Sequence, residues 1–232
     1  MPQIVLVGAG GFARETAEAV RAINEARPTW DLIGFLDADP SLQGVEVDGV
    51  PVLGFPGDVS RYPEARVVIC SGRPTDYFSR KRIVRSLGLA RDRFATLVHP
   101  TAVVPRSAQL GPGTVLLASV VLTAAVRVGA HVAIMPGVVL THDDVIGDYA
   151  TFGAGARVGG RVTIGEGAYV GAGATIREDL SVGTWSLVGM GAVVIRDVPP
   201  AEVWAGSPAR FLRSVDVPAE VVGAGLVAEG SS

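Results

Sequence analysis

Residues 138–148, VVLTHDDVIGD, place one histidine beside two acidic residues within an otherwise apolar stretch. Three interpretations fit His142, Asp143 and Asp144: a general base with its orienting carboxylate, a metal site, or a polar turn. Imidazole titrates at about pH 6.5, and a neighbouring carboxylate orients its tautomer and raises its basicity. The pattern therefore favours His142 as a general base in proton transfer.

The elements that must position these residues follow a six-residue repeat that starts at Thr101. One position in six is apolar sixteen times without a slip, from Val104 to Val194, and glycine follows nine of these positions. This period is typical of a parallel β-helix. Three hexads would form one triangular coil of 18 residues, with the apolar residue inside and glycine at the corner, so sixteen hexads predict about five coils.

In such a fold, residues 18 apart stack in neighbouring coils at about 4.8 Å. His142 would then lie between Ala124 and Gly160, whose small size leaves an open groove around the imidazole. Asp143 would stack beside Arg161 on an outward-facing column. We expect this groove to admit the reacting atoms.

Asp144 falls on a different column, which leans inward between Val126 and Val162. An ionised carboxylate at such a position is costly unless it is hydrogen-bonded. We therefore expect a structural role for Asp144. The stacking alone does not decide which carboxylate contacts the imidazole.

A zinc site would need about three converging ligands, and the chain has only three histidines. His99 precedes the repeat, and neither His99 nor His131 lies on the column of His142. We therefore expect no metal. His131 has no acidic neighbour and is expected on the surface, while a polar turn stays the alternative for His142.

The first 98 residues follow another pattern. QIVLVGAGGFARETAEAVRAINEA predicts a strand, a glycine turn and a helix; DLIGFLDAD and RVVICSG predict two more strands, and RKRIVRSLGLA a further helix. We predict an α/β, Rossmann-like domain with a parallel sheet over residues 1–98. An all-β parallel β-helix over 99–213 and a C-terminal tail over 214–232 follow, and the tail ends in a loosely ordered GAGLVAEGSS.

The turn at residues 8–13, GAGGFA, satisfies G-x-G-x-x-G/A between a strand and a helix. Such a turn brings backbone N–H groups close to a phosphate. Asp37 closes the second strand, where a carboxylate can hydrogen-bond a ribose or a base. Because the domain has little room for a dinucleotide, we favour one nucleotide diphosphate group; glycine needed only for a tight turn is the alternative.

Composition narrows the function classes further. The net charge of −3 offers no basic surface for nucleic acid or an anionic membrane. The single Cys70 cannot form an internal disulfide, which fits a reducing, cytoplasmic setting. Residues 107–126 are uncharged and long enough to span a bilayer, but they contain two glycines and a proline and belong to the hexad repeat, so we expect no membrane segment.

The chain resembles the hexapeptide-repeat acyltransferases that include bacterial nucleotide-amino-sugar N-acetyltransferases and sialic acid O-acetyltransferases. The resemblance covers residues 3–213 and rests on IVLVGAGGFARE, GFLDAD, LVHPTAVV, THDDVIGDYATFGAGARVGG and VPPAEVWAGSPAR. It implies a left-handed β-helix, a homotrimer, and acetyl-CoA bound in the groove between adjacent subunits.

The resemblance also implies residue roles around the acyl donor. His142 would be the general base and Asp143 would tune it, where the best-known members carry glutamate. The family's CoA-contacting positions fall on Thr151, Ala172 and Met190, mostly through backbone groups. Acetyl-CoA is therefore the expected co-substrate.

By the same comparison, the nucleotide-sugar turn falls on Gly10, Gly11 and Phe12, with Asp37 near the base. Phe12 replaces a histidine found in some N-acetyltransferases, and Met135 stands where an asparagine often lines the sugar site. These two differences leave the acceptor sugar unassigned.

Two further features would complete a CoA site. A backbone N–H near Gly159 or Gly160 would stabilise the oxyanion formed from the thioester. One of the arginines near the end of the repeat would bind a CoA phosphate, with a solvated surface as the alternative. These arginines are Arg196, Arg210 and Arg213.

The function that these observations favour is acetyl transfer from acetyl-CoA to the amine of a nucleotide-linked amino sugar. We expect direct attack on the thioester, because Cys70 lies outside the repeat and no serine accompanies His142. The alternatives are an O-acetyltransferase acting on a sugar or another small-molecule hydroxyl, and a non-catalytic trimeric nucleotide-binding scaffold.

Overall fold

The N-terminal part of the protein is an α/β domain. The computed structural model describes residues 1–222, so the GAGLVAEGSS segment lies outside the described residues. The elements are β1 Gln3–Val7, α1 Gly11–Ala26, β2 Asp31–Leu36, β3 Glu46–Val47, β4 Val50–Gly54, β5 Arg66–Ile69 and α2 Ser79–Leu87. Short 3₁₀ helices lie at Pro40–Leu42, Pro56–Arg61 and Arg91–Arg93.

The sheet has the order β3-β4-β2-β1-β5, and β1 pairs in parallel with both β2 and β5. The helix α1 buries Ala13, Ala17 and Val20, the apolar side that the spacing predicts. This arrangement brings the glycine turn after β1 to the carboxyl edge of the sheet, where ligands bind in open α/β folds.

The β3–β4 hairpin was absent from the elements expected from sequence. The strands pair antiparallel across Asp48 and Gly49, whose φ angles are 50° and 75°. Pro51 lowers the strand propensity of β4, which explains the omission. The Asp-Gly dipeptide is the signal that predicts this hairpin.

From residue 97 onward the chain forms a parallel β-helix, which begins with β6 Leu97–Val98 and ends with β22 Glu202–Ala205 and the antiparallel β23 Arg210–Ser214. Between them lie two-residue strands at six-residue intervals. They are β7 Gln109–Leu110, β8 Val115–Leu116, β9 Val121–Leu122, β10 Arg127–Val128, β11 Ala133–Ile134, β12 Val139–Leu140, β13 Val145–Ile146, β14 Thr151–Phe152, β15 Arg157–Val158, β16 Thr163–Ile164, β17 Tyr169–Val170, β18 Thr175–Ile176, β19 Ser181–Val182, β20 Leu187–Val188 and β21 Val193–Val194.

The strands stack into three parallel sheets, which form the faces of a triangular prism. Their orders are β7-β10-β13-β16-β19, β9-β12-β15-β18-β21 and β6-β8-β11-β14-β17-β20-β22, with β23 added antiparallel at the end of the third. Paired residues are 18 apart, as in Arg127 with Val145 and Val145 with Thr163. The predicted fold class, a Rossmann-like domain followed by a parallel β-helix, is confirmed.

Two positions of each hexad point into the β-helix core. One is the predicted apolar position, and the other lies two residues before it, as Leu122 and Val120 show, with 1% and 0% exposure. The stacked side chains form one continuous hydrophobic core from Leu116 to Trp204. Their burial is the main favourable contribution to the stacking of the coils.

The corners of the coils differ from the sequence-based expectation. From residue 113 to residue 191, each corner lies three residues after the predicted apolar position and has a positive φ near 60–70°. His131, Asp143 and Tyr149 have φ of 56°, 63° and 62°. The expectation that the glycine directly after the apolar position relieves the corner is therefore wrong. A Cβ at Gly153 would lie 2.4 Å from the Ala172 amide nitrogen, so this glycine is required by the close approach of the next coil.

The α/β domain contacts the β-helix through the buried guanidinium of Arg80 on α2. Its Nη1 donates to the Ser71 carbonyl at 2.7 Å, and its Nη2 contacts Thr151 Oγ1 at 2.5 Å and the Tyr149 carbonyl at 3.0 Å. Burial lowers the pKa of Arg80 to about 10. Because its partners are mainly carbonyls, this cation is held by backbone dipoles of both domains.

The same interface buries His131, which corrects the expectation that His131 lies on the surface. The imidazole is 5% exposed, stacks on Tyr149 with ring centroids 5.3 Å apart, and meets the edge of Phe94 at 4.5 Å. Phe94 belongs to the segment after α2, so the repeat alone could not show this contact. Burial, followed by the positive charge of Arg80, lowers the pKa of His131 to about 4.

Residues 107–126, the uncharged stretch, contribute strands β7, β8 and β9 to the β-helix. Within residues 1–222, neither α1 nor α2 combines the length and the apolar composition that a membrane-crossing helix needs. The lack of charge in this stretch is explained by its hexads, whose inward residues fill the first coils.

The close approach at Gly153 generates a first prediction. Gly153→Ala should lower the free energy of unfolding by about 1–3 kcal/mol, because the new methyl overlaps the backbone of the next coil. Gly57→Ala is the matched control, since nothing lies within 4 Å of a Cβ there. Chemical denaturation measures both variants, and equal stabilities would contradict the close-approach explanation.

The buried imidazole generates a second prediction. Because the folded protein holds the pKa of His131 at about 4 while an unfolded histidine titrates near 6.5, the unfolded chain takes up the proton first as the pH falls. The free energy of unfolding should therefore decline between about pH 6.5 and pH 4, by up to about 3 kcal/mol.

His131→Asn should lose this decline, and asparagine tolerates the left-handed φ at this corner. Because other groups titrate in the same range, the difference between the two proteins is the quantity to measure, by urea denaturation at several pH values. Parallel stability curves for the two proteins would show that His131 is not the group responsible.

Candidate active site

His142 and Asp143 occupy the corner between β12 and β13. The imidazole Nδ1 lies 2.9 Å from Asp143 Oδ2, and the two side chains are 49% and 57% exposed. Asp143, and not Asp144, is therefore the carboxylate that contacts the imidazole. When Nδ1 carries the proton and donates to this carboxylate, Nε2 is left as the proton acceptor.

The imidazole lies over Gly160 of the next coil. A Cβ at Gly160 would lie 2.3 Å from His142 Nε2, so the ring occupies the space that any larger side chain would need. The backbone fixes the same stack, because Asp143 N–H donates to the Ala124 carbonyl and Arg161 N–H donates to the His142 carbonyl, both at 2.9 Å. The expected stacking of His142 between Ala124 and Gly160 is thus observed.

Arg161 stacks on the column of Asp143 but pairs with the following coil. Its Nε and Nη2 donate to the two carboxylate oxygens of Asp179 at 2.6 and 2.7 Å, which lowers the pKa of Asp179. This bidentate pair leaves the Asp143 carboxylate to the imidazole. The outward column therefore carries Asp143, Arg161 and Asp179 in turn, so acidic and basic side chains alternate beside His142, the candidate general base.

Asp144 points into the β-helix and has no exposed surface. Its Oδ2 accepts the Thr141 N–H at 2.9 Å, and its Oδ1 accepts the Val162 N–H at 3.0 Å. Burial raises the pKa of Asp144 to about 7, against the opposing effect of both amide hydrogen bonds and of His142. The predicted inward orientation and the required hydrogen bonds are both present.

The three histidines do not converge. His99 Nδ1 contacts the Thr101 hydroxyl at 2.9 Å, and His131 lies at the domain interface. In the part of the chain that the structure describes, no three His, Cys, Asp or Glu side chains are placed to share a metal ion.

The glycine turn opens into a cleft of about 570 Å³ at the carboxyl edge of the sheet. Gly10, Gly11 and Phe12 line it, and no atom lies within 4 Å of a Cβ at either glycine. Gly8 differs, because a Cβ there would lie 2.6 Å from the Cys70 carbonyl oxygen. Tight packing therefore explains Gly8, whereas Gly10 and Gly11 leave the start of α1 open to a ligand.

Asp37 also lines the cleft, but its carboxylate already has backbone partners. Oδ2 accepts the Ala9 N–H at 2.6 Å and Oδ1 accepts the Asp39 N–H at 2.8 Å. Asp37 thus shapes the glycine turn itself. Any contact with a ribose or a base would be added to this role.

The other wall of the cleft was not predicted from the sequence. It is formed by the segment after β5, with Ser71, Arg73, Asp76 and Ser79. Their position directly after the third predicted strand, RVVICSG, is the signal, since the carboxyl ends of parallel strands meet at one edge. Cys70 is buried beside them, and burial raises the pKa of its thiol to about 12, so the thiol is not a nucleophile.

The positions expected to contact CoA fall into separate groups. Gly160 lies with His142, whereas Ala172 and Met190 lie on a different corner of the prism, beyond the sheet β9-β12-β15-β18-β21. Within residues 1–222, the amides of all three donate to no protein acceptor, whereas the Gly159 amide donates to the Ile176 carbonyl at 2.9 Å. Of these two neighbouring amides, that of Gly160 is therefore the one without a protein acceptor among the described residues.

Thr151 is 2% exposed and lies against Arg80 at the domain interface. Its amide donates to the Ala168 carbonyl at 2.9 Å. The α/β domain thus covers Thr151, and a CoA contact through this residue stays a prediction.

The C-terminal arginines are exposed. Arg210 lies on β23 and donates to the Ala209 carbonyl at 3.0 Å, and Arg213 donates to the Ser214 carbonyl at 3.2 Å. Exposed Met190, Phe211 and Leu212 share this end of the β-helix. Arg210 is free to contact a phosphate at the surface.

Sequence comparison adds independent evidence. The family model of the PglD N-terminal domain matches residues 3–87. The UDP-N-acetylbacillosamine N-acetyltransferase of Bacillus subtilis (strain 168) is 35% identical over 122 residues, which are 51% of this chain and 52% of that enzyme. The aligned segment thus spans about half the length of that curated relative.

Two solved structures resemble nearly the whole chain. PerB from Caulobacter crescentus, in complex with CoA and GDP-perosamine, has a TM-score of 0.79 and 30% identity and covers 92% of this chain and 98% of PerB. The acetyltransferase domain of PglB from Neisseria gonorrhoeae FA1090, in complex with acetyl coenzyme A, has a TM-score of 0.80 and 27% identity over 91% and 99% of the two chains.

The perosamine N-acetyltransferase has also been solved with CoA and GDP-perosamine after replacement of one histidine by asparagine or by alanine. The identity to PerB, which extends over 98% of that protein, confirms the resemblance stated from the motifs. The chain belongs to the hexapeptide-repeat sugar N-acetyltransferases, a family of CoA-dependent acyltransferase enzymes.

Proposed function

We propose that this protein transfers the acetyl group of acetyl-CoA to the amine of a nucleotide-linked amino sugar. The observation that carries the proposal is the His142–Asp143 pair, with Nδ1 2.9 Å from the carboxylate and the ring seated over Gly160. Relatives that bind CoA together with GDP-perosamine support the same chemistry.

In the proposed reaction the acceptor amine attacks the thioester carbonyl directly. The amine nitrogen forms the new bond to carbon while His142 Nε2 takes its proton, and Asp143 stabilises the resulting imidazolium. The carbon–sulfur bond then breaks, and the leaving thiolate takes up the proton from the imidazolium. The free Gly160 amide would donate to the oxyanion of the intermediate.

The nucleotide part of the acceptor is assigned to the cleft of the α/β domain. The exposed start of α1 at Gly10 and Gly11 offers backbone N–H groups to a diphosphate, and Arg73 adds a positive charge on the opposite wall. Phe12 supplies an apolar surface in the same cleft. This combination suits a nucleoside diphosphate better than a free sugar.

A homotrimer completes the proposed site. His142 and Gly160 lie on one corner of the prism, and Ala172 and Met190 lie on another. We place acetyl-CoA between two copies of the chain, where the His142 corner of one copy would face the Ala172 corner of its neighbour. A cytoplasmic location, where acetyl-CoA and nucleotide sugars are both available, is part of the same proposal.

His142→Ala should bind acetyl-CoA and lose turnover by about 100- to 10,000-fold, because it removes the general base. Asp143→Asn should lower the rate less, since it alters the base without removing it. Thiol release from acetyl-CoA, measured with a panel of amino and hydroxyl sugars, free and nucleotide-linked, gives the rates.

Product mass after amine-selective labelling separates N-transfer from the O-acetyltransferase alternative. Release of thiol with any acceptor excludes a non-catalytic scaffold. Near-normal turnover by His142→Ala would overturn the proposed mechanism.

Mixing of inactive variants tests the shared site. Ala172→Trp should block CoA at its corner, while His142→Ala removes the base at the other. Co-expression should restore activity at about one quarter of the sites, because some pairs of neighbours contribute one intact corner each. Sedimentation should show a trimer for both variants, and trimers without restored activity would contradict a site between copies.

A further inference from the structure

The corner that carries His142 departs from the hydrogen-bond pattern of the β-helix. In each hexad, the amide of the residue that follows the predicted apolar position normally donates to a carbonyl of the next coil. Thr123 donates to Leu140 at 3.1 Å, and Gly159 donates to Ile176 at 2.9 Å. Among the corresponding amides of residues 111–189, that of Thr141 is the exception. It donates to Asp144 Oδ2 at 2.9 Å.

The side chain of Thr141 takes over the missing contact between coils. Its hydroxyl donates to the Val158 carbonyl at 2.9 Å, which is the carbonyl that the regular pattern assigns to the Thr141 amide. The coil therefore stays joined to its neighbour while the backbone just before His142 is turned toward Asp144. This rearrangement needs an acceptor inside the β-helix, and Asp144 supplies it.

The second oxygen of Asp144 reaches the coil that supports the imidazole. Asp144 Oδ1 accepts the Val162 N–H at 3.0 Å. At the same hexad position elsewhere, Ala156 and Ala174 donate to carbonyls three residues earlier, at 3.2 and 3.1 Å. The buried Asp144 carboxylate thus binds the amide of Thr141, just before His142, and the amide of Val162, two positions after Gly160.

An explanation by fold stability alone does not account for an acid here. The neighbours on this inward column, Val126 and Val162, are apolar and fully buried, so the column accepts valine. Burial raises the pKa of Asp144 to about 7, which means that the ionised form is held at an electrostatic cost. Natural proteins retain such destabilising buried groups mainly at functional sites.

We infer that Asp144 is a positioning residue for the reaction, which holds the His142–Asp143 corner so that the imidazole lies over Gly160. The inference rests on the proposed function, in which His142 is the general base. Asp144 touches no reacting atom and acts through the backbone on both sides of the imidazole. A displacement of about 1 Å in a catalytic group can slow a reaction about 100-fold, so this clamp bears directly on turnover.

Asp144→Val tests the inference, because it restores the residue found above and below in the column. Without the carboxylate, the Thr141 amide should return to the Val158 carbonyl, as in the regular coils. The kcat should fall about 10- to 100-fold, while KM for acetyl-CoA changes less than about threefold. The thermal midpoint should stay the same or rise, because a buried carboxylate is removed.

Thr114→Val is the matched control. Thr114 is a buried polar residue at the same hexad position, and its hydroxyl accepts the Val132 N–H at 3.1 Å and donates to the Gly129 carbonyl at 2.9 Å. It lies next to a different corner, so its loss should affect stability and leave kcat unchanged. A fall in kcat for Thr114→Val equal to that for Asp144→Val would overturn the inference.

A second readout does not depend on activity. NMR of protein with ¹⁵N-labelled histidine should show His142 with Nδ1 protonated and bonded to Asp143, and Asp144→Val should weaken that signature while Thr114→Val keeps it. If His142→Ala retains turnover, the proposed function fails, yet this readout still tests the positioning. An unchanged signature together with a wild-type kcat in Asp144→Val would overturn the inference.

Should Asp144→Val fail to fold, Asp144→Thr takes its place. A threonine can accept the Val162 N–H, as Thr114 accepts that of Val132, but it leaves the Thr141 amide without its acceptor. This variant should fold and show the same loss in kcat and in the His142 signature. Wild-type values for both would overturn the inference.

Discussion

The close stacking of 18-residue coils is the constraint on which the rest of the structure depends. Each inward side chain is covered by the equivalent residue of the next coil, and glycines such as Gly153 are needed because adjacent backbones approach to contact distance. The same stacking brings His142 over Gly160. A site on such a scaffold is set by register, since a residue contacts what lies 18 positions away.

Apolar packing, as of Tyr77 and Phe78 on Trp185, and a few directional contacts attach the α/β domain to this scaffold. Arg80 bonds the Ser71 carbonyl, beside the cleft, and also the backbone of the β-helix at Tyr149. Tyr77 donates to the Trp185 carbonyl at 2.8 Å. Because the Arg80 guanidinium is buried, moving the domains apart would leave a charged group without its partners, which is costly. The cleft is thereby held in a fixed relation to the coils.

Much of the fold was accessible from the sequence for a simple reason. The hexad repeat reports the same local interaction sixteen times, so chance matches cannot imitate it. The order of the α/β elements was also readable, because apolar spacing distinguishes α1 from β1. The β3–β4 hairpin was missed because Pro51 weakens the strand pattern. The corner glycines were misread, because a glycine required by close approach and one required by positive φ look alike in a sequence.

The sequence by itself determined the β-helix, its 18-residue stacking, the glycine turn, and the column that places His142 beside Ala124 and Gly160. These features follow from periodic or adjacent residues, whose relations are local. Only the tertiary structure decided which carboxylate contacts the imidazole, and that His131 and Thr151 are buried against the α/β domain. Those outcomes depend on side-chain direction at a corner and on the docking of two domains, and a repeat pattern in the sequence reports neither.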